Sequence, residues 1–292
     1  MLSVRGLTRR YGDTTVVDHV SFDIPTGMMT GFVGANGAGK TTTMRMIMGV
    51  LAAHAGEVAL DGGPLTRELR ATFGYIPEER GLYPDQPVLD QLGYLGELHG
   101  MSRRAALSAS AELLERFDLG DKAKAKLDSL SLGNQQRVQI AAALLHSPRA
   151  LILDEPFSGL DPDAVDSMVD LLRERCSGIP ILFSSHQLDL VDRLCDHLVV
   201  LQAGRVVAEG DADELREAGQ ARHRLVTLPD AGWVRSLPGV TVLDVDGPSA
   251  LVELADESTA GALAAEAVRR GELHEFTRVL PSLSEIFREV TR

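Results

Sequence analysis

The densest chemical signal in this sequence is an eight-residue loop, Gly34-Ala35-Asn36-Gly37-Ala38-Gly39-Lys40-Thr41. It meets the pattern G-x-x-x-x-G-K-[ST]. The apolar run Met29-Thr30-Gly31-Phe32-Val33 leads into it and a helical pattern leaves it. That strand–loop–helix setting is what a phosphate cradle requires. Glycines let backbone N–H groups turn inward around phosphate oxygens, and the helix N-terminus adds partial positive charge. Gly34, Asn36, Gly37, Ala38, Gly39 and Thr42 are expected to line the cradle. Lys40 would reach the β and γ phosphates, and the Thr41 hydroxyl would bind Mg²⁺. The chain has 25 arginines and only four lysines, three of them at 122, 124 and 126. It still places a lysine at 40, where a compact ammonium on a flexible stem is needed.

A second constellation is Ala150-Leu151-Ile152-Leu153-Asp154-Glu155-Pro156. An apolar strand delivers two carboxylates at its C-terminal end, where α/β sheets bind ligands. Asp154 suits a magnesium shell, and Glu155 suits a base that orients or deprotonates an attacking water.

The elements that must hold these residues follow from pattern. Residues 1–33 read as strands, and 40–50 as a helix with Met44, Ile47, Met48 and Leu51 on one face. Residues 88–146 form a mostly helical insert, with helices expected near Leu89–Leu98, Ala105–Phe117 and Gly133–Leu145. Next come strand 150–154, helix 163–175, strand 180–184, helix 187–194 and strand 197–201. Such alternation gives a largely parallel sheet with helices on its faces. The pattern breaks around 209–222. Strand 223–228, a short helix 231–236, strands 240–245 and 250–254, helix 258–270, strand 274–279 and helix 282–290 follow. The order βαββαβ is that of a ferredoxin-like unit. In the last helix Leu283, Ile286, Phe287 and Val290 form one apolar stripe, read first as packing onto the unit's own sheet.

With these motifs in order, the sequence resembles an ABC ATPase over residues 1–215. Leu130-Ser131-Leu132-Gly133-Asn134-Gln135-Gln136-Arg137 is similar to the ABC signature, the most diagnostic of the family's motifs. Ser158-Gly159-Leu160-Asp161 is similar to the D-loop. His186 matches the switch histidine, and Tyr11 the aromatic that stacks on adenine. The resemblance implies an α/β fold: a P-loop ABC cassette with a RecA-like core, an antiparallel β subdomain and a helical subdomain at about 80–146. A small α+β ferredoxin-like domain at 220–292 would follow. It further implies ATP and Mg²⁺ as ligands, with Lys40, Glu155 and His186 catalytic and Thr41, Asp154 and Glu78 toward the metal. Ser131, Gly133, Asn134 and Asp161 would contact the nucleotide of a second copy in a head-to-tail dimer. Family members that stand alone in a chain drive a separate integral-membrane permease, received near residues 80–105. The tail resembles that of exporters in the sodium, antibiotic and multidrug group. A soluble relative acting on the ribosome or DNA is the alternative. Ribosome-acting relatives carry two cassettes, and DNA-repair relatives a long coiled coil; neither appears here.

The sequence departs from the family pattern in two places. Glu78 stands where glutamine is usual, adding negative charge beside Asp154, Glu155 and the triphosphate. Leu132 and Asn134 stand where glycine and glutamine are common; Leu132 matters only if its backbone needs positive φ.

Composition narrows the setting. The 292 residues are 44% hydrophobic and 24% charged, with net charge -13, which disfavours a nucleic-acid binder. No run reaches the roughly 18–20 apolar residues of a membrane span, and residues 1–6 lack a signal-peptide core. The expected location is cytoplasmic, attached to the inner face of the membrane through the permease. Cys176 and Cys195 fit no metal motif and read as reduced, buried thiols.

Overall fold

The computed structural model describes residues 1–79, 81–218 and 222–291, without the side chains at 175, 176 and 257. Arg80, Gly219 and the Cys176 side chain therefore lie outside the described residues. The chain divides between Asp211 and Ala212 into two compact units.

The first unit opens with strands β1 (Leu2–Tyr11), β2 (Thr14–Ile24) and β3 (Met29–Val33), followed by helix α1 (Lys40–Ile47). Strands β4 (Ala55–Leu60) and β5 (Gly63–Pro64), helix α2 (Arg67–Arg70) and strand β6 (Gly74–Ile76) lead into the helical segment. There α3 (Val88–Leu98), α4 (Arg103–Arg116) and α5 (Leu132–Leu144) run in succession. Then come β7 (Leu151–Leu153), α6 (Pro162–Cys176), β8 (Ile181–Ser185), α7 (Leu188–Leu194), β9 (His197–Gln202) and β10 (Arg205–Asp211).

Two sheets organise these elements. An antiparallel sheet has the order β2-β1-β4-β5, and a six-stranded sheet the order β10-β9-β3-β8-β7-β6. The latter is parallel except for β10, which pairs antiparallel with β9 at one edge. All five residues of β3 are buried, as a strand with parallel neighbours on both sides demands. One core joins the sheets. Phe22 and Phe32 stack in it at 5.1 Å, with Met44 and Ile47 of α1 fully buried beside Ile152 and Leu182.

Local chemistry fixes the helix starts. Ser102, Ser131 and Asp161 each accept a backbone N–H in the first turn of α4, α5 and α6, and Pro162 occupies the first turn of α6. Helix α1 stops at Ile47, short of the expected residue 50, because Gly49 turns left-handed at φ 72. No described helix is long and apolar enough to cross a membrane.

The second unit comprises α8 (Ala212–Ala218), β11 (Arg222–Leu228), β12 (Val240–Asp246), β13 (Ser249–Leu254), α9 (Glu257–Arg270), β14 (Glu272–Val279) and α10 (Leu283–Val290). Its sheet has the order β12-β13-β11-β14, antiparallel throughout. β11 and β12 thus run parallel with β13 between them, which is the ferredoxin-like arrangement. The first crossover is a 3₁₀ turn at Gly232–Ser236, where a short helix was expected. Leu225, Val234, Val252, Leu263 and Ala267 form a core of its own. Arg222, only 12% exposed in its side chain, is ion-paired with Glu253, Glu285 and Glu289, tying α10 to the sheet.

Candidate active site

The glycine loop leaves β3 at Val33 and enters α1 at Lys40. Gly39 holds φ 105 and Gly37 φ 81, left-handed values that glycine adopts at least cost. A Cβ on Gly34 would stand 2.4 Å from the Leu201 carbonyl oxygen, so the loop passes against β9 with no room for a side chain. The loop walls a cavity of about 230 Å³ together with Val16, Glu78, Asp154 and Glu155. Asn36, Gly37, Ala38, Gly39, Lys40, Thr41 and Thr42 all line it. Gly34 does not, but its carbonyl accepts from Lys40 Nζ at 2.7 Å.

The carboxylates arrive from β7. Asp154 is 1% exposed; its Oδ1 accepts from the Ser184 hydroxyl at 2.6 Å. Its Oδ2 is buried with no hydrogen-bond partner. Glu155 takes φ 52, a left-handed conformation, and its N–H donates to Ser184 Oγ at 2.8 Å. The turned-out carboxylate lies 3.0 Å from His186 Nδ1. Strand β8 thereby supplies both the serine that anchors the pair and, one residue beyond its end, the histidine that meets it. Burial and then the Asp154 charge push the neighbouring Tyr75 phenol above its ordinary value.

Glu78 follows β6, and Thr41 Oγ1 donates to Glu78 Oε2 at 3.4 Å. Thr41, Glu78 and Asp154 all line the loop cavity, and their hydroxyl and carboxylate oxygens are hard donors of the kind that fits magnesium.

A second cavity of about 310 Å³ continues past Glu155 to His186, Leu132, Gln136, Ser158 and Gly159. The start of α5 and the Ser158–Asp161 turn touch, for a Cβ on Gly159 would meet Leu132 at 2.8 Å. Leu132 is helical, so its departure from glycine costs no backbone strain. Ser131 Oγ caps α5 through Asn134 N–H at 3.4 Å, and Asp161 Oδ1 caps α6 through Ala164 N–H at 2.9 Å. Ser131, Gly133, Asn134 and Asp161 line neither cavity. Nor does Tyr11, half exposed at the end of β1 with the Arg9 guanidinium 4.9 Å from its ring centre.

Sequence reasoning missed Ser184, Gln136 and Val16. The signal for Ser184 was available. Ser184-Ser185 ends the otherwise apolar run Ile181-Leu182-Phe183, and a buried hydroxyl there needs a partner.

Comparison with known proteins agrees with this architecture. The model of the ABC transporter family matches residues 17–158, and that of the DrrA1-3-like ATP-binding protein C-terminal domain matches residues 210–291. The chain is 39% identical to the uncharacterized ABC transporter ATP-binding protein YhaQ of Bacillus subtilis, over 99% of this chain and 98% of that one. It is 40% identical to the Nod factor export ATP-binding protein I of Burkholderia orbicola, over 74% and 73% of the two chains. A solved ATP-binding subunit of an ABC transporter superposes with a TM-score of 0.68 at 34% identity, covering 74% of this chain and 92% of that one. The chain belongs to the ATP-binding proteins of ABC transporters, a family of ATPases.

Proposed function

We propose that this chain hydrolyses ATP as a head-to-tail pair of copies and thereby drives a separate integral-membrane exporter of a drug, ion or other small molecule. The observation that carries the reading is the Glu155–His186 contact, made by a glutamate that lines both the loop cavity and the second cavity. Glu155 takes the proton of the attacking water. His186 holds that carboxylate in place and reaches the γ-phosphate. Lys40 exchanges its loop carbonyls for β and γ phosphate oxygens, and the cradle N–H groups of residues 36–42 bind the rest. Thr41, Asp154 and Glu78 would hold magnesium, which supplies neutralisation of charge between the β and γ phosphates. Tyr11 offers its exposed face to adenine. Ser131, Gly133, Asn134 and Asp161, which line neither cavity, face the nucleotide of the second copy.

One likeness supports export: the relative named for Nod factor export. The permease docks beside α3, where the loop after Glu78 links the helical segment to the cavity. The protein then works in the cytoplasm, held at the membrane by that partner.

Glu155→Gln tests the assignment. Turnover should fall by about 10²-fold or more, while ATP converts the protein to a stable dimer on gel filtration. Wild-type turnover in this variant means that the base lies elsewhere.

A further inference from the structure

The cavity is acidic before any ligand enters. Glu78, Asp154 and Glu155 line it, and Lys40 is the one cation among its lining residues. The Lys40 ammonium donates to the carbonyls of Gly34 and Ala35, at 2.7 and 3.4 Å, and among the described residues it is ion-paired with none of these carboxylates. Among the described residues neither Glu78 nor Asp154 is ion-paired, and the 1%-exposed Asp154 leaves Oδ2 without any partner. A carboxylate oxygen buried in that condition is costly unless something positive meets it. A glutamine at 78 would bring a neutral carbonyl to the same place; Glu78 brings a full charge within 3.4 Å of the Thr41 hydroxyl.

We propose that Glu78 makes this a site for a hard divalent cation that fills without nucleotide, and that the same carboxylate repels a triphosphate carrying no metal. The inference rests on reading the loop cavity as the nucleotide site. Two carboxylates and a hydroxyl suit the oxygen preference of Mg²⁺ and Mn²⁺. The loop N–H groups and Lys40 remain available to the phosphates, so cation and nucleotide use different donors. Nucleotide affinity then depends on cation more steeply here than it would with glutamine at 78.

Mn²⁺ titration of the nucleotide-free full chain, followed by electron paramagnetic resonance, reads the cation directly. The wild type should bind Mn²⁺ alone, and Glu78→Gln should weaken that binding at least about tenfold, the weight of one charge pair at this range. Glu79→Gln, at the exposed neighbour outside both cavities, should leave it unchanged. In EDTA, Glu78→Gln should bind trinitrophenyl-ATP at least about tenfold more tightly than the wild type. Equal Mn²⁺ affinities for the wild type and Glu78→Gln overturn the inference, as does an equal loss in Glu79→Gln. Failure of the wild type to bind trinitrophenyl-ATP with Mg²⁺ present is a separate result, and it overturns the nucleotide-site reading itself.

Discussion

Ser184→Ala isolates the anchor beneath the two carboxylates. Ser184 is fully buried, donates to Asp154 Oδ1 at 2.6 Å and accepts from Glu155 N–H at 2.8 Å. A hydrogen bond to a charged group contributes about 1.5–3 kcal/mol, and a buried N–H left alone costs about 1–3 kcal/mol. Losing both contacts should destabilise the first unit by roughly 3 kcal/mol. For a unit of this size that lowers Tm by about 6–12 °C. The chemical effect should be larger than the thermal one. Glu155 holds a left-handed backbone that stores about 1–3 kcal/mol, and Ser184 is one of the contacts opposing its relaxation. Once released, the carboxylate leaves His186 and kcat should fall by about 10²-fold, while KM for ATP changes less than about twofold, because the glycine loop is untouched. Steady-state ATP hydrolysis at a temperature where the variant is folded, beside a thermal unfolding curve, separates the two effects. A variant with wild-type kcat would show that Ser184 does not position the base, whatever its cost in stability.

Two further outcomes concern stability against pH and charge. Burial, and next the His99 imidazole stacked on it at 3.7 Å, push His146 down to about 4. Below pH 6.5 the unfolded chain takes a proton there that the folded chain refuses until about 4, so stability falls through that window. Discounted for its partial exposure, the loss should be about 1 kcal/mol. Urea unfolding at pH 7.5 and 5 should show that loss in the wild type and a smaller one in His146→Leu; equal losses refute the assignment. In the second unit, Arg222→Leu should cost roughly 3 kcal/mol by leaving Glu253 and Glu285 near the sheet without their cation. Burial pushes the Glu285 carboxyl up, but the Ser282 N–H and the Arg222 guanidinium outweigh it and hold it below the ordinary value. Its contribution is present above the ordinary carboxylate range and lost as pH falls below it, so acid should unfold the wild type's second unit more steeply than the variant's. Hydrogen exchange of the α10 amides reads both effects.

The parts of the fold set by one-dimensional pattern were legible in the residues. Strand β3 is buried throughout because it has parallel neighbours on both sides, and α1 carries its buried stripe at helical spacing. The glycine loop declares itself because a backbone that cradles phosphate admits few residue types. Elements with weak local pattern were not legible. Strand β10 alternates half-buried with exposed residues at a sheet edge, and β5 spans two residues. The 3₁₀ turn at Gly232–Ser236 differs from a short helix only in its hydrogen-bond spacing. Ser184 was missed for another reason. Its partners are 29 and 30 residues away in sequence, and only the parallel pairing of β7 with β8 brings them together.

That pairing also explains how adjacent carboxylates come to differ. Asp154 continues the burial of β7, its N–H donating to the Ile76 carbonyl at 2.9 Å, and it ends 1% exposed. One residue later the left-handed turn at Glu155 breaks the strand's alternation and swings the next carboxylate outward, leaving its side chain 15% exposed beside His186. The same chemical group is thereby given two environments, one suited to holding a cation and one to receiving a proton. Glycine would occupy φ 52 at less cost, since it has no Cβ to crowd the backbone. It would also remove the carboxylate. Stability and chemistry therefore pull in opposite directions at residue 155, and the fold tolerates the strain because Ser184 and His186 hold the residue at both its backbone and its side chain.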